Sequence, residues 1–277
     1  MPPWLWLTVP YLLALALFLA MPLANLGLLS VFTHSNVTIW EPELTLANYD
    51  RILDGFYLYL TYRTLKIGFI TTILCVMLGY PLAYYLARCS HRALSIGLFL
   101  LVMPLMVSTV VRAFGWMVIL GREGLINEAV RAFGYDGHLK LLYTEVSVIA
   151  ALAQLVLPLM VLPLMASIEK IPVSLEEAAV IIGASSSQVF RKLILPLSVP
   201  GLLSGSLLCF TISISVVVTP ALLGGRNVRM FGNEIYDQVV TAYNWPFAAS
   251  LSVMLVVLTL AAIAAGVTIG ARLTRRR

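Results

Sequence analysis

Residues Ser167–Pro196 read SIEKIPVSLEEAAVIIGASSSQVFRKLILP and separate two long apolar runs. Local signals in this segment predict a short helix. Ser174 followed three residues later by Glu177 is a capping box, and Pro172 disfavours an earlier start, so we expect the helix to begin at Ser174. Gly183 should end it, because glycine adopts the left-handed conformation at low cost.

A second short helix should follow at once, because Ser185 and Gln188 repeat the capping-box spacing. Its predicted apolar face comprises Val189, Phe190, Leu193 and Ile194. The first helix carries a narrow stripe of apolar and small residues at helical spacing: Leu175, Ala178, Ala179 and Ile182. This stripe fits either the close approach of another protein's backbone or a helix lying on lipid headgroups.

The composition of the whole chain is that of a membrane protein. Of its 277 residues, 60% are hydrophobic and 11% are charged, and the mean hydropathy is +0.95. These values exclude a soluble globular domain, a disordered chain, a collagen and a disulfide scaffold. The net charge of +5 comes from basic residues at the edges of apolar runs, so it indicates membrane topology and not nucleic-acid binding.

The chain contains six long runs without Asp, Glu, Lys or Arg, and each is about as long as a bilayer crossing. They cover Met1–Trp40, Ile67–Ala87, Ala93–Val111, Val146–Ile168, Leu193–Gly225 and Gln238–Ala271. We therefore predict an all-α membrane protein, one transmembrane domain over 1–277, with spans at about 5–28, 64–87, 93–119, 143–166, 198–222 and 247–271.

The predicted spans place both termini on one side of the membrane. Basic residues are denser in the segments at 88–92, 167–196 and after 271, which end in the Arg275–Arg277 tail. By the positive-inside rule, both termini should be cytoplasmic, and the loop Ser167–Pro196 with them. The first run lacks a basic start and a cleavage site, so we expect a permanent span and not a signal peptide.

Several functions lack the residues that they need. No phosphate-binding G-x-x-x-x-G-K-[ST] loop occurs, so ATP hydrolysis would require another polypeptide. No catalytic nucleophile with a base is evident, and the three cysteines and three histidines lack metal-ligand spacing. We expect no catalytic site, no metal site and no disulfide.

Few polar residues lie within the predicted spans, and these are the candidates for a solute path. Arg112 with Trp116 one turn later lies in span three, and Arg63 and Lys66 border span two. Span five carries Ser213, Ser215 and Thr219, on spacings that could face one cavity. The alternatives are that Arg112 reaches the membrane interface and that the hydroxyls bond to backbone carbonyls of their own helix.

Two glycine pairs permit close helix approach. Gly201 and Gly205 lie in span five, and Gly266 and Gly270 in span six. Each pair could pack within the chain or against a second subunit.

The loop Ser167–Pro196 resembles the EAA signature of inner-membrane permeases of binding-protein-dependent ABC importers. The matching residues are Glu177-Ala178-Ala179, Gly183 and Leu193-Ile194-Leu195-Pro196, with Leu193 where the family has Ile. The resemblance implies the type I importer permease fold, with six transmembrane helices and a cytoplasmic coupling helix between helices 4 and 5. It implies that this helix docks on a separate ATPase through Leu175, Glu176, Glu177, Ala178, Ala179 and Gly183.

The resemblance also implies the partners: a dimer of ATP-binding subunits that hold ATP and Mg, a second homologous permease, and a periplasmic or lipid-anchored solute-binding protein. The chain itself would hold no cofactor, and would reside in the bacterial inner membrane in contact with its lipids.

Further stretches are similar to the spermidine/putrescine-type branch: 44–49, 121–128, 219–225 and 244–247. Many relatives have Glu in span five where this chain has Val216. A polyamine is the solute that the resemblance implies, whereas the missing carboxylate and Arg112 favour a zwitterionic or anionic solute such as an opine or an organophosphonate. A stand-alone secondary transporter would need ion-coupling acids or histidines within its spans, and these are not evident.

Overall fold

The computed structural model describes residues 4–35, 37–134 and 137–275, so the Arg276–Arg277 end of the basic tail lies outside the described residues. The described chain is predominantly helical, as the composition predicts. Its α-helices are α1 (Trp4–Ser30), α2 (Ala47–Ile52), α3 (Gly55–Arg88), α4 (His91–Met106), α5 (Thr109–Leu120), α6 (Leu125–Ala132), α7 (Glu145–Glu169), α8 (Val173–Ile181), α9 (Ser186–Val189), α10 (Leu195–Ser215), α11 (Phe231–Val240) and α12 (Trp245–Arg275).

Of two short π-helical turns, Phe190–Ile194 leads directly into α10, and Pro220–Gly224 follows it after a break. The strands β1 (Phe32–Ser35) and β2 (Ile39–Leu44) pair antiparallel in a small hairpin, with Ser35 opposite Ile39.

Among the described residues, five helices are long and apolar enough to cross a membrane, and a bent helix pair would make a sixth. The five lie at Leu13–Ser30, Gly55–Arg88, Glu145–Glu169, Ser186–Ser215 and Trp245–Thr268. The bent pair, His91–Met106 with Thr109–Ala132, turns by 99°. The apolar runs therefore predicted the position of each long helix.

The predicted span at 93–119 is not a single straight helix, because α4 and α5 meet at a sharp break. Val107 and Ser108 between them are extended, with ψ angles of 134° and 137°. Pro104, in the last turn of α4, has no N–H to donate to the preceding turn, which weakens the helix there. A charge-free run indicates how long an apolar segment is, but not whether the helix bends within it.

The predicted span at 198–222 is also interrupted. The helix α10 ends at Ser215, and Val216 is extended with a ψ angle of 134°. Pro220 supplies the reason, because it has no N–H to donate to the carbonyl of Val216 four residues earlier. The carbonyl of Val217 accepts from the Ala221 N–H at 3.1 Å and also from the side-chain amide of Asn233 at 2.9 Å, so the backbone beside the interruption has two donors.

The chain forms two compact units. One contains the residues up to Leu60 together with Glu234–Leu258, and the other contains Thr61–Asn233 together with the residues from Thr259 onward.

In the first unit, side chains of α2 bind the end of α1 and the first strand of the hairpin. The Asn48 amide donates to the carbonyls of Ser30 and Phe32, each at 3.0 Å, and the Tyr49 hydroxyl lies 2.8 Å from that of Ser30. These contacts account for two residues of the 44–49 stretch that the sequence singled out.

The second unit is built around α7, whose buried residues extend from Ser147 to Ile168. It packs most extensively against α10, and α3 lines the same core. Within lipid, such helix pairs depend on van der Waals contact more than on the hydrophobic effect. Close approach of the two backbones is therefore the feature that holds this unit together.

Both glycine pairs pack within the chain. A Cβ on Gly201 would lie 2.6 Å from the carbonyl oxygen of Pro163, and one on Gly205 would lie 3.0 Å from that of Met160. On α12, Gly266 faces Leu207 of α10. The absence of side chains at Gly201 and Gly205 thus allows α10 to lie directly against α7.

We predict that Gly201→Ala lowers the melting temperature of the detergent-solubilised protein by several degrees, because overpacking a close contact costs about 1–3 kcal/mol. The matched control is Gly27→Ala in α1, where an added Cβ would meet nothing within 4 Å. Thermal unfolding followed by a tryptophan or thiol-reactive dye signal would measure both. Equal melting temperatures for the two variants would contradict the proposed backbone contact.

Candidate coupling loop and membrane cavity

The helix α8 is capped two residues earlier than predicted, at position 172 and not at Ser174. Its N-cap is Pro172, with φ −60° and ψ 132°, and the cap makes no side-chain hydrogen bond, so the predicted capping box of Ser174 with Glu177 is not formed. The carbonyl of Pro172 instead accepts from the Leu175 N–H at 3.1 Å. That bond satisfies the Leu175 N–H, one of the first-turn donors that a side-chain cap would otherwise satisfy.

The end of α8 at Gly183 is confirmed. Gly183 has φ +90°, its N–H donates to Val180, and the next N–H, that of Ala184, donates to Ala179 at 3.0 Å. These two bonds form a Schellman motif, which requires a left-handed residue at this position. An added Cβ would meet nothing within 4 Å, so glycine is needed here for its conformation and not for space.

The second predicted helix start is also confirmed. The Ser185 N–H donates to the Gln188 side chain at 2.9 Å, and the Gln188 N–H donates to the Ser185 hydroxyl at 3.4 Å. The short α9 continues through the π-helical turn into α10. Val189 and Ile194 are buried against Ile171, which confirms the predicted apolar face.

The surface of α8 is apolar and largely exposed. Val180, Ile181 and Ile182 have exposures of 58%, 84% and 85%, and Leu175 has 45%. Of the predicted stripe, Ala179 packs against the buried cluster around Ile171, whereas Leu175, Ala178 and Ile182 are exposed. Such side chains in a loop outside the long apolar helices are available to a partner surface or to lipid.

Glu176 attaches α8 to α3, which the sequence did not predict. Its Oε1 accepts from Arg88 at 2.6 and 3.0 Å, and its Oε2 accepts from the Tyr84 hydroxyl at 2.9 Å. The neighbouring Glu177 is exposed, and both glutamates line a groove of about 580 Å³. The sequence signal was Arg88 at the end of an apolar run, but nothing local indicates its partner.

The break between α4 and α5 brings Arg112 and Trp116 to one cavity of about 330 Å³. Arg112 donates to the carbonyl of Pro104 at 3.1 Å and to the Thr109 hydroxyl at 3.3 Å. The carbonyl of Pro104 also accepts from the Val107 N–H at 3.3 Å, so Arg112 adds a second donor to this backbone group at the end of α4. Arg112 therefore stabilises the break, whether or not it also contacts solute.

Gln154 of α7 completes the polar wall of this cavity and was missed from the sequence. The Trp116 indole N–H donates to its Oε1 at 2.6 Å. Gln154 is the only amide side chain in the run Val146–Ile168, and this isolation was the available signal. A cation, an indole face and an amide can together bind a polar solute through charge, stacking and hydrogen bonds.

The three hydroxyls of span five do not share a face. Ser213 is fully buried, whereas Ser215 is exposed and donates to the Thr211 carbonyl of its own helix at 2.7 Å. Thr219 is 5% exposed and lies beyond the interruption. Residues two apart on a helix point in different directions, and the end of α10 at Ser215 removes the predicted spacing. A solute-path role for each remains a prediction.

At the other end of α3, Arg63 and Lys66 face Glu145, the first residue of α7. Lys66 Nζ lies 2.6 Å from its Oε2, and Arg63 Nε lies 3.5 Å from its Oε1. Arg63 also donates to the carbonyl of Asn227 at 2.7 Å. These basic residues therefore join α3 to α7 and to the segment after α10.

Comparison with known proteins matches this architecture. Residues 3–275 match the family described as binding-protein-dependent transport system inner membrane component. The spermidine/putrescine transport system permease protein PotB of Escherichia coli (strain K12) is 34% identical over 244 residues, which cover 88% of this chain and 89% of that protein. PotB of Haemophilus influenzae is 33% identical, with 88% and 86% covered.

Solved structures share the fold at low sequence identity. A bacterial alginate ABC transporter was solved in complex with an alginate pentasaccharide-bound periplasmic protein. One of its chains has a TM-score of 0.79 at 15% identity, and the match covers 98% of this chain and 95% of that chain. The MetNI methionine ABC transporter, in an inward-facing conformation, has one with a TM-score of 0.62 at 17% identity, with 81% and 98% covered. The family match and the PotB relatives confirm the resemblance read from the loop Ser167–Pro196: this chain belongs to the inner-membrane components of binding-protein-dependent transport systems, the permeases of ABC importers.

Proposed function

We propose that this chain is the transmembrane subunit through which an ABC importer passes a small polar solute, driven by ATP hydrolysis on a separate subunit. The observation that carries the proposal is α8: a short helix with exposed apolar side chains, closed by Gly183 and placed between two long apolar helices. In this assignment α8 is the cytoplasmic coupling helix and docks on the ATPase through the segment from Leu175 to Gly183.

The proposal includes the rest of the assembly. The chain contributes six spans, with the bent α4–α5 pair as one of them, and both termini are cytoplasmic. ATP and Mg bind to a dimer of ATPase subunits, a second homologous permease completes the path, and a solute-binding protein delivers the solute. The chain itself performs no covalent chemistry, and its contribution is a change between inward- and outward-open states.

We propose a polyamine or a related amine as the solute. The support comes from the relatives, because PotB proteins at 33–34% identity are named as spermidine/putrescine permeases. A second solute class is favoured by the cavity at the α4–α5 break, where Arg112 beside Trp116 and Gln154 suits a carboxylate or phosphonate group. An opine or organophosphonate is therefore the alternative.

The solute prediction is tested on the solute-binding protein encoded with this permease. We expect isothermal titration with putrescine and spermidine to give saturable binding, and proteoliposomes of the full assembly to take up the same labelled amine when ATP is present inside. Saturable binding of an organophosphonate or an opine, with no amine binding, would establish the alternative solute class. Uptake by this chain alone would instead indicate a secondary transporter.

The coupling assignment is tested at Gly183. We predict that Gly183→Val leaves the protein inserted but lowers ATP-driven uptake about tenfold, because a side chain in the left-handed region costs about 1–2 kcal/mol and this position ends α8. Uptake and receptor-stimulated ATP hydrolysis would be measured together in proteoliposomes. We expect hydrolysis to persist while uptake falls.

The matched control is Gly134→Val. Gly134 has φ +89° and, like Gly183, open space around an added Cβ. It follows α6 in the segment between spans three and four, which the predicted orientation of the termini places outside. The substitution Gly134→Val should therefore cause the same backbone strain as Gly183→Val without affecting coupling. Unchanged uptake in Gly183→Val, or an equal loss in both variants, would contradict the coupling assignment.

A further inference from the structure

Arg88, the last residue of α3, donates three hydrogen bonds to two acceptor atoms, one in α8 and one just before it. Its Nε and Nη2 donate to Glu176 Oε1 at 3.0 and 2.6 Å, and Nη2 also donates to the carbonyl of Ile171 at 2.9 Å. The Tyr84 hydroxyl, one turn earlier on α3, donates to the second carboxylate oxygen. We call this set of four residues the α3–α8 clamp.

The clamp differs from an ordinary surface ion pair. Exposed pairs contribute little, because water screens them and both side chains lose freedom. Here the side chains of Arg88 and Glu176 are only 18% and 14% exposed, and both carboxylate oxygens are engaged. Removal of one partner would leave the other charged group partly buried without its hydrogen bonds. This loss costs more free energy than the loss of an exposed ion pair.

The clamp adds a side-chain attachment to the short covalent links of α8. On one side, Lys170, Ile171 and Pro172 separate it from the end of α7, and on the other side residues 182–185, with Gly183 among them, join it to α9. In the described part of α8, Glu176 is the residue that forms an ion pair with another helix. A displacement of α8 would therefore reach α3 through Arg88.

The other end of α3 is also tied by charge. Lys66 and Arg63 contact Glu145 at the start of α7, and positions 66 and 88 lie about 33 Å apart along a helix that rises 1.5 Å per residue. Between these two ends, Gly79 packs closely on Met160 of α7, and the Tyr80 hydroxyl bonds to that of Ser198 at 2.6 Å. The second unit thus contains a continuous helix with ionic attachments near both ends.

We propose that Arg88 is a positioning residue that fixes the coupling helix to α3, so that nucleotide-driven movement of α8 is carried along α3 toward Glu145. The proposal rests on the coupling role assigned above to α8. Glu176 lies beside the signature residue Glu177. In this proposal Glu176 attaches α8 to α3 within this subunit, in addition to any contact with the ATPase.

The test uses Arg88→Gln, Glu176→Gln and the double variant in the assembled transporter. Amide hydrogen exchange of residues 173–182 should rise about tenfold or more in each single variant, because a charged hydrogen-bond network is lost. The double variant should be no worse than either single one, since partners in one network are not additive. Glu169→Gln, an exposed carboxylate at the end of α7, is the control and should leave exchange unchanged.

The functional readout is the number of ATP molecules hydrolysed per solute imported, which a merely structural contact would not change in folded protein. We expect this ratio to rise in Arg88→Gln and Glu176→Gln and to stay at the wild-type value in Glu169→Gln. Unchanged exchange in α8, additive effects in the double variant, or a wild-type ratio in the single variants would overturn the proposal. If the wild-type assembly shows no ATP-driven uptake, the proposed function fails. The amide hydrogen exchange of α8 in the variants then decides on its own whether the clamp exists.

Discussion

The direct contact between α7 and α10 determines where the loop Ser167–Pro196 can lie. Gly201 and Gly205 let the backbone of α10 approach Pro163 and Met160, so both ends of the loop emerge from one tightly packed helix pair. A loop anchored in this way has little freedom, and its two capped helices reduce that freedom further. The exposed apolar surface of α8 is therefore presented by a rigid support.

The interrupted helices follow a second constraint, because backbone groups at membrane depth need partners. At the α4–α5 break the guanidinium of Arg112 adds a donor to the carbonyl of Pro104, and after α10 the amide of Asn233 adds one to that of Val217. Arg112, which the sequence marks as a solute candidate, thus also binds the backbone. Its side chain lines the cavity at the break.

Local signals predicted local structure well. The Schellman end at Gly183 and the capping box at Ser185 depend on residues within one turn, and both are present. The capping box at Ser174 is absent because Pro172 starts the helix first. The family could be inferred from the loop because its spacing is long and specific.

Contacts between distant residues could not be predicted. Arg88 and Glu176 are 88 positions apart, and Trp116 and Gln154 are 38 apart, so only the packed fold brings them together. The glycine pairs indicated close helix contact but could not identify the facing helix. The bend of 99° between α4 and α5 escaped detection because apolar composition is the same in a straight and a broken helix.

Photo-crosslinking from Ile181 tests the central claim most directly. This side chain of α8 is 84% exposed, and a photoreactive amino acid in its place, in the assembled transporter in native membranes, should form an adduct with the ATPase subunit. Phe133, which is 92% exposed in the predicted outer segment after α6, should give none. Adducts from position 181 with lipid alone, or with the solute-binding protein, would contradict the account.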